Sequence, residues 1–311
     1  MNKHETELRL VHLAIAGVKN NESKHSNNTV MTSYFENSAG ILVPTDFSDT
    51  CANALDHAKI LSDKNSHEIY VLHVVKNSES EAATREEISI AESKIASLLN
   101  AKQIKATAIV RAGDIFTTIS SVAAEISAGL IVLGTHGKVG MQKLLGSYAL
   151  KVIDSTKLPV LVIQHASASS DYKKIIFTVG LGEEDRQKAE HAVAFAKTFG
   201  SQICLFPEVA SFEHSKKKVE TALAQLQKYF ALHEVDFQIA DSSKYTGTFD
   251  RQVAAYSKDV DADLIFIVSD PEKHVFMGGG KEENFLFNSE GIPILVVTNK
   301  KFKSSKFSMF K

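Results

Sequence analysis

Residues 130–147 read LIVLGTHGKVGMQKLLGS. The four apolar residues Leu130 to Leu133 form a short continuous run of the kind a strand shows when both its faces are buried. Gly134, Gly137 and Gly140 follow, and Gly146-Ser147 opens a stretch with helical spacing that runs to about Ser155. The order is strand, glycine-rich loop, helix. The next apolar run, Leu158 to Ile163, reads as another strand. Upstream, Thr117 to Ala128 has helical spacing and Ala106 to Val110 reads as a strand. Further back, Glu68 to Val75 is a strand, followed by a long charged helix starting at Ser78 or Ser80 with Ile88, Ala91, Ile95 and Leu98 on one face. The series begins with a strand at Gly40 to Pro44 and a helix capped by Ser48 or Asp49, with Ala54, Leu55, Ala58 and Leu61 on its apolar side. Five apolar strands separated by amphipathic helices predict a parallel sheet covered on both faces, a doubly wound α/β domain with right-handed crossovers.

The pattern occurs twice, at an offset of 134 residues. Ile41-Leu42-Val43 lies over Ile175-Ile176-Phe177, and Asp56-His57-Ala58 over Glu190-His191-Ala192. Gly113 lies over Gly247, Leu130-Ile131-Val132 over Leu264-Ile265-Phe266, and Leu158 to Val162 over Ile292 to Val296. No gap is needed. The expected organisation is two copies of one domain, 39–166 and 172–299, joined by the small polar residues Ser167 to Asp171. Residues 1–38, rich in Asn, Lys, Ser and Glu, read as a mobile extension. Residues 300–311 interleave lysines with phenylalanines and read as a solvated basic tail.

Composition limits the partners. The 311 residues carry 35 basic and 37 acidic side chains, a formal net charge of -2, which gives no general attraction to nucleic acid. Two cysteines, Cys51 and Cys204, make no disulfide framework, so a reducing, cytoplasmic setting is expected. No apolar run approaches the ~20 residues of a membrane span, and Val11 to Val18 lacks the context of a signal peptide.

In doubly wound sheets ligands sit beyond the carboxyl ends of the strands, where the strand order reverses. The residues there are therefore the candidates. After the first strand, Pro44-Thr45-Asp46 offers a carboxylate suited to an adenine amino group or a ribose hydroxyl, and equally to a turn. After the second, His73-Val74-Val75 offers main-chain groups and an apolar wall to a flat ring. After the third, Gly113 suits either close approach to a sugar or a plain turn. After the fourth, Leu133, Gly134 and Gly137 lead to Gly146 and Ser147, where free helix amides favour phosphate or where Ser147 simply caps the helix. The loop is neither a Walker A sequence nor GxGxxG. No nucleophile–base pair, catalytic carboxylate pair or metal-ligand spacing is evident. Of the histidines, His136 alone falls in the glycine loop.

The stretches ILVPTDFSDTCANALDHA (41–58), VLHVV (71–75), AGD (112–114), LIVLGTHGKVG (130–140), LLGS (144–147) and LPVLVI (158–163) together resemble the universal stress protein family in its tandem two-domain form. The resemblance implies two flavodoxin-like domains, each with a five-stranded parallel sheet. It also implies a stress-response regulatory protein that binds ATP or AMP, with Mg2+ accompanying ATP, and is not a dedicated enzyme. It places Asp46 on the adenine with Pro44 and Thr45 beside it, and Val74 on the base through its backbone. Gly113 would lie near the ribose, and Leu133, Gly134, Gly137, Gly146 and Ser147 around ribose and phosphates. The family pattern is Gly-x2-Gly-x9-Gly-Ser/Thr; here eight residues separate Gly137 from Gly146, which leaves ATP against AMP open. The resemblance further implies that the fifth strands of the two copies pair within the chain, and that two chains associate as a homodimer.

The second copy departs from these motifs. Gly180 stands at the position of Asp46, Glu208 at Val74, Val268 at Gly134, Pro271 at Gly137 and Lys281 at Ser147. Gly134 reads as a glycine of positive φ, which Val268 does not take cheaply. The expectation is one nucleotide site per chain, in the first copy. The alternatives are a nucleotide-free scaffold and a slow ATP hydrolase in which His136 assists.

Overall fold

The computed structural model describes residues 40–77, 80–135, 145–164, 171–180, 185–209, 212–269, 281–286 and 288–298. The N-terminal extension, the basic tail, most of the linker, Gly137 with its loop, and Gly278 to Gly280 lie outside them.

The first half runs β1 (Gly40–Pro44), α1 (Asp49–Asn65), β2 (Glu68–Val75), α2 (Glu81–Lys102), β3 (Thr107–Ala112), α3 (Ile115–Glu125), β4 (Ala128–Gly134), α4 (Leu145–Ser155) and β5 (Val160–Ile163). The second half runs β6 (Lys174–Val179), α5 (Asp185–Phe199), β7 (Gln202–Pro207), α6 (Glu213–Leu232), β8 (Phe237–Ile239), a 3-10 turn (Ser242–Lys244), α7 (Phe249–Asp259), β9 (Leu264–Ser269), α8 (Lys281–Leu286) and β10 (Ile294–Thr298). The fold is α/β throughout, and each half is a doubly wound five-stranded parallel sheet. All ten strands join in one sheet of order β3-β2-β1-β4-β5-β10-β9-β6-β7-β8. The order reverses between β1 and β4 in the first half and between β6 and β9 in the second.

Period-two alternation assigns the strand side chains to two layers. Ile41, Val43, Val71 and Val132 face α1 and α2, while Leu42, Leu72, Ile131 and Leu133 face α3 and α4. The second half repeats this, with α5 and α6 on the first face and α7 and α8 on the other. Each fully buried Val, Leu or Ile contributes roughly 1.5–3 kcal/mol.

The halves meet at β5 and β10, which pair antiparallel: Val160 opposite Val296, Leu161 opposite Leu295, Val162 opposite Ile294. The central partners, Leu161 and Leu295, are related by the 134-residue offset, and the two flanking pairs exchange under it, so the leucines are equivalents facing each other across a local twofold. On the first face His57 Nδ1 of α1 lies 2.5 Å from the Tyr172 hydroxyl, and Thr198 of α5 bonds Asn65. Burial pushes the Tyr172 phenol far above its ordinary value, so it stays protonated and shares a hydrogen bond with His57.

The repeat extends to backbone conformation. Gly113 and Gly247 both have positive φ (148° and 99°). So do the residues after α1 and α5, Ser66 and Gly200 (56° and 63°), and Ser127 and Asp261 (51° and 50°). Helix starts differ between the halves. Ser48, Ser80 and Asp114 accept cap bonds from Cys51, Ala83, and both Phe116 and Thr117. Phe212 and Thr248 open α6 and α7 without one.

Candidate functional site

At the reversal between β1 and β4 the strand ends enclose a cleft of about 300 Å3. Pro44, Thr45 and Asp46 line it from β1, Leu72, His73 and Val74 from β2, and Leu133, Gly134 and Thr135 from β4. Ile115, Phe116 and Ile119 of α3 and Ala149 and Val152 of α4 form its apolar wall, and Cys51 of α1 its back. The polar groups are few and sit at the strand ends, as in small-ligand sites of roughly 300–1,000 Å3.

The turn leaving β1 is held from several sides. The Thr45 amide donates to the Leu72 carbonyl at 2.8 Å. Thr45 Oγ1 accepts from the Phe47 amide at 3.0 Å, and Asp46 Oδ1 from the Ser48 amide at 2.9 Å. His73 Nδ1 donates to the Thr45 carbonyl at 2.7 Å, and its ring packs against Phe47 at 4.5 Å. Phe47 itself has φ 66°, a left-handed conformation that an aromatic residue adopts only under constraint. Its ring is clamped between His73 and Lys94 Nζ of α2, 5.4 Å from the centroid. Asp46 therefore both makes a turn and stands exposed at the cleft mouth.

Cys51 lies in the first turn of α1, where amides favour a thiolate, yet burial raises its thiol to about 11. Hydrogen bonds from the Asp46 backbone and Ser48 oppose this only in part. Cys51 is a neutral wall of the cleft.

Of the residues named from sequence, Pro44, Thr45, Asp46, Val74, Leu133 and Gly134 come together here. Gly113 is not among the lining residues; its amide donates to the Val75 carbonyl in the β3–α3 turn. Gly146 and Ser147 lie in the first turn of α4. Gly137 falls outside the described residues. The reason for Gly134 is a correction to the sequence reading. It does not have a positive φ; a Cβ there would stand 2.6 Å from the Thr50 carbonyl oxygen and 2.8 Å from the Cys51 amide nitrogen. The glycine lets β4 run close against the first turn of α1. The sequence reading missed Cys51, Leu72, Thr135 and both helix walls. Starting the third helix at Thr117 hid Ile115 and Phe116, although Asp114 after Gly113 is an N-cap signal.

The second half differs at the equivalent place. Phe206 and Phe249 stand where the first half has Leu72 and Ile115, within a cluster that includes Tyr245, Tyr256 and Phe285. Lys188, fully buried at the position of Ala54, donates to the Thr178 hydroxyl at 2.7 Å and to its carbonyl, and lies over Phe177. Among the described residues no His, Cys, Asp or Glu cluster suits a metal ion, and no helix is long and apolar enough to cross a membrane.

Fold and cleft define a class: a tandem doubly wound α/β protein with a cleft at the strand-order reversal of its first half. The sequence model of the universal stress protein family matches residues 40–164. The universal stress protein MJ0531 of Methanocaldococcus jannaschii is 31% identical over 137 residues, 40% of this chain and 81% of that protein. MJ0577 of the same organism is 27% identical over 155 residues, 41% of this chain and 96% of that protein. The crystal structure of a universal stress protein from Archaeoglobus fulgidus superimposes with TM-score 0.69 at 20% identity, covering 85% of this chain and all of that one. The chain belongs to the universal stress protein family.

Proposed function

We propose that this chain is a stress-response regulatory protein that binds an adenine nucleotide, ATP or AMP, in the cleft of its first domain, residues 39–166. The second domain, 172–299, serves as its structural partner and binds none. The observation that carries the reading is the cleft: an apolar slot at the β1/β4 reversal whose polar groups lie at its strand-end edge. A purine presents two apolar faces and a polar edge. Ile115, Ile119, Leu133 and Val152 suit the faces, and Asp46 with the main chain at Val74 suits the edge. Phosphates would extend toward the first turn of α4, where Gly146 and Ser147 lie and unpaired amides favour anions. Mg2+ would accompany ATP. The bulky rings around Phe206 and the buried Lys188 argue against an equivalent slot in the second half. The reading is of a cytoplasmic binding protein rather than an enzyme.

The test is calorimetry with ATP and AMP, with and without Mg2+, on the intact chain and on Asp46→Ala. About one equivalent should bind, and the variant should lose most of the affinity. A folded, nucleotide-free sample that binds neither ligand would put the scaffold reading in its place, and ATP turnover far above background would favour the hydrolase.

A further inference from the structure

The residues after Asn299 read KKFKSSKFSMFK, with five lysines, three phenylalanines and no acidic side chain. By composition alone such a tail is at home in water, but its place in the fold gives it neighbours. It follows β10, which ends at Thr298. β10 runs parallel to β9, β9 to β6 and β6 to β7, so Thr298 and Pro207, the last residues of β10 and β7, end on the same side of the sheet. Three strand spacings, roughly 14 Å, separate them, and a dozen extended residues reach up to about 40 Å.

The chain beyond Pro207 shows two large apolar side chains to water. Val209 is 53% exposed, and Phe212, at the start of α6, 77%. A phenylalanine in the N-cap position gives the helix no side-chain bond, so Phe212 serves something other than α6. Lys216, Lys217 and Lys218 follow, all exposed, and Glu213 is the one acidic residue from 212 to 219. The first half has Ser78, Ala82, Ala83 and Thr84 at the positions of Phe212 and these lysines, so the patch belongs to the second half.

We propose that this end of the second half and the basic tail together form a docking surface for an anionic lipid bilayer. Val209, Phe212 and the tail phenylalanines enter the headgroup boundary, and the lysines lay their stems along it with their charges toward the lipid phosphates and carboxylates. Each lysine near such a surface strengthens binding by about 5-fold. The apolar members include Val209 and Met309, which suit hydrocarbon but offer a base no ring to stack on, and the tail holds no arginine; both favour lipid over single-stranded nucleic acid. The surface uses no residue of the Asp46 cleft, so it stands or falls apart from the nucleotide reading.

The experiment is co-sedimentation of the full chain with vesicles of phosphatidylcholine, alone or with phosphatidylserine as about a third of the lipid. The chain should bind the mixed vesicles, release them at high salt, and ignore phosphatidylcholine alone. Changing Lys301, Lys303 and Lys306 together to Gln should weaken binding by about 100-fold, and Phe212→Ser by about 10-fold. Both variants should melt with the parent. An environment-sensitive dye on His214→Cys should shift to the blue with mixed vesicles. The same dye on Leu232→Cys, 78% exposed at the far end of α6 and about 30 Å away, should not. Cys51 and Cys204 are buried, which leaves the introduced thiol as the labelling site. Failure to bind, equal binding to both kinds of vesicle, or equal shifts at His214→Cys and Leu232→Cys would each overturn the surface. Unchanged binding by Phe212→Ser would overturn the part assigned to the folded domain, and tighter binding to single-stranded poly(U) RNA than to vesicles would put nucleic acid in place of lipid.

Discussion

Cys51 and Gly134 touch across the junction of α1 and β4, and each depends on the closeness of that contact. The Cys51 thiol is held at about 11, against an ordinary 9.0, chiefly by burial. Below pH 9 it is neutral in folded and unfolded chains alike, and its burial favours the fold. As pH rises from 9 through 11 the unfolded chain ionises first, so that stabilisation is lost over this window. Two outcomes follow. Alkylation of Cys51 at pH 8 should run far slower than for a free thiol, with adenine nucleotide slowing it further, and urea midpoints should fall between pH 9 and 11. A midpoint that is flat across that range would contradict the burial argument. Gly134→Ala places a methyl 2.6 Å from the Thr50 carbonyl oxygen, which backbone cannot yield without a shift. The expected cost is on the order of 1–3 kcal/mol in denaturant unfolding, together with weaker ligand binding. At this scale sequence went only part of the way. Asp46 and Gly134 were legible because strand ends are easily counted. Thr135 and Cys51 were not, because a lone hydroxyl or thiol beside a glycine looks the same whether it is bonded, exposed or orphaned.

Element ends show where the sequence of one half informs the other. The chain leaves α1 through Ser66 and α5 through Gly200, both left-handed. A serine there carries a Cβ penalty that glycine avoids. Ser66→Gly should therefore raise stability by up to about 1 kcal/mol, after allowing for the extra freedom glycine has when unfolded. In a protein of this size that is a rise of roughly 2 °C in melting temperature, and a fall would show that the serine side chain contributes something the backbone does not. Helix starts were legible wherever a capping side chain announces them. Ser48 and Ser80 fell where the spacing of apolar residues put them, whereas α3 begins earlier than its apolar spacing suggested because Asp114 caps Phe116 and Thr117. In the second half Phe212 offers no capping group and Thr248, a capping residue type, makes no cap bond, so α6 and α7 rest on packing.

On the scale of the whole molecule, the antiparallel seam of β5 and β10 makes two halves into one sheet. Leu161 and Leu295 face each other in it at 0% and 1% exposure. We expect the parent chain to unfold in one calorimetric transition, with calorimetric and van't Hoff enthalpies equal. Leu295→Ala should cost about 2–5 kcal/mol and, because the loss falls on the seam, separate the transition into two. A variant that still melts as one unit would mean that the helices flanking the seam, α1 with α5 and α4 with α8, couple the halves by themselves. The repeat itself was legible because an offset of 134 holds without a gap. The pairing of the fifth strands was expected only through the family resemblance, since apolar strands at the ends of two domains carry by themselves no instruction about which edge they meet.

The seam has one more consequence. Its strands run in opposite directions, so the carboxyl ends of β1 to β5 point one way and those of β6 to β10 the other. The cleft beside Asp46 and the equivalent strand ends beside Gly180 therefore lie on opposite rims of the sheet. No single small ligand can touch both, so the two halves, though joined in one sheet at Leu161 and Leu295, meet the solvent with their strand ends back to back.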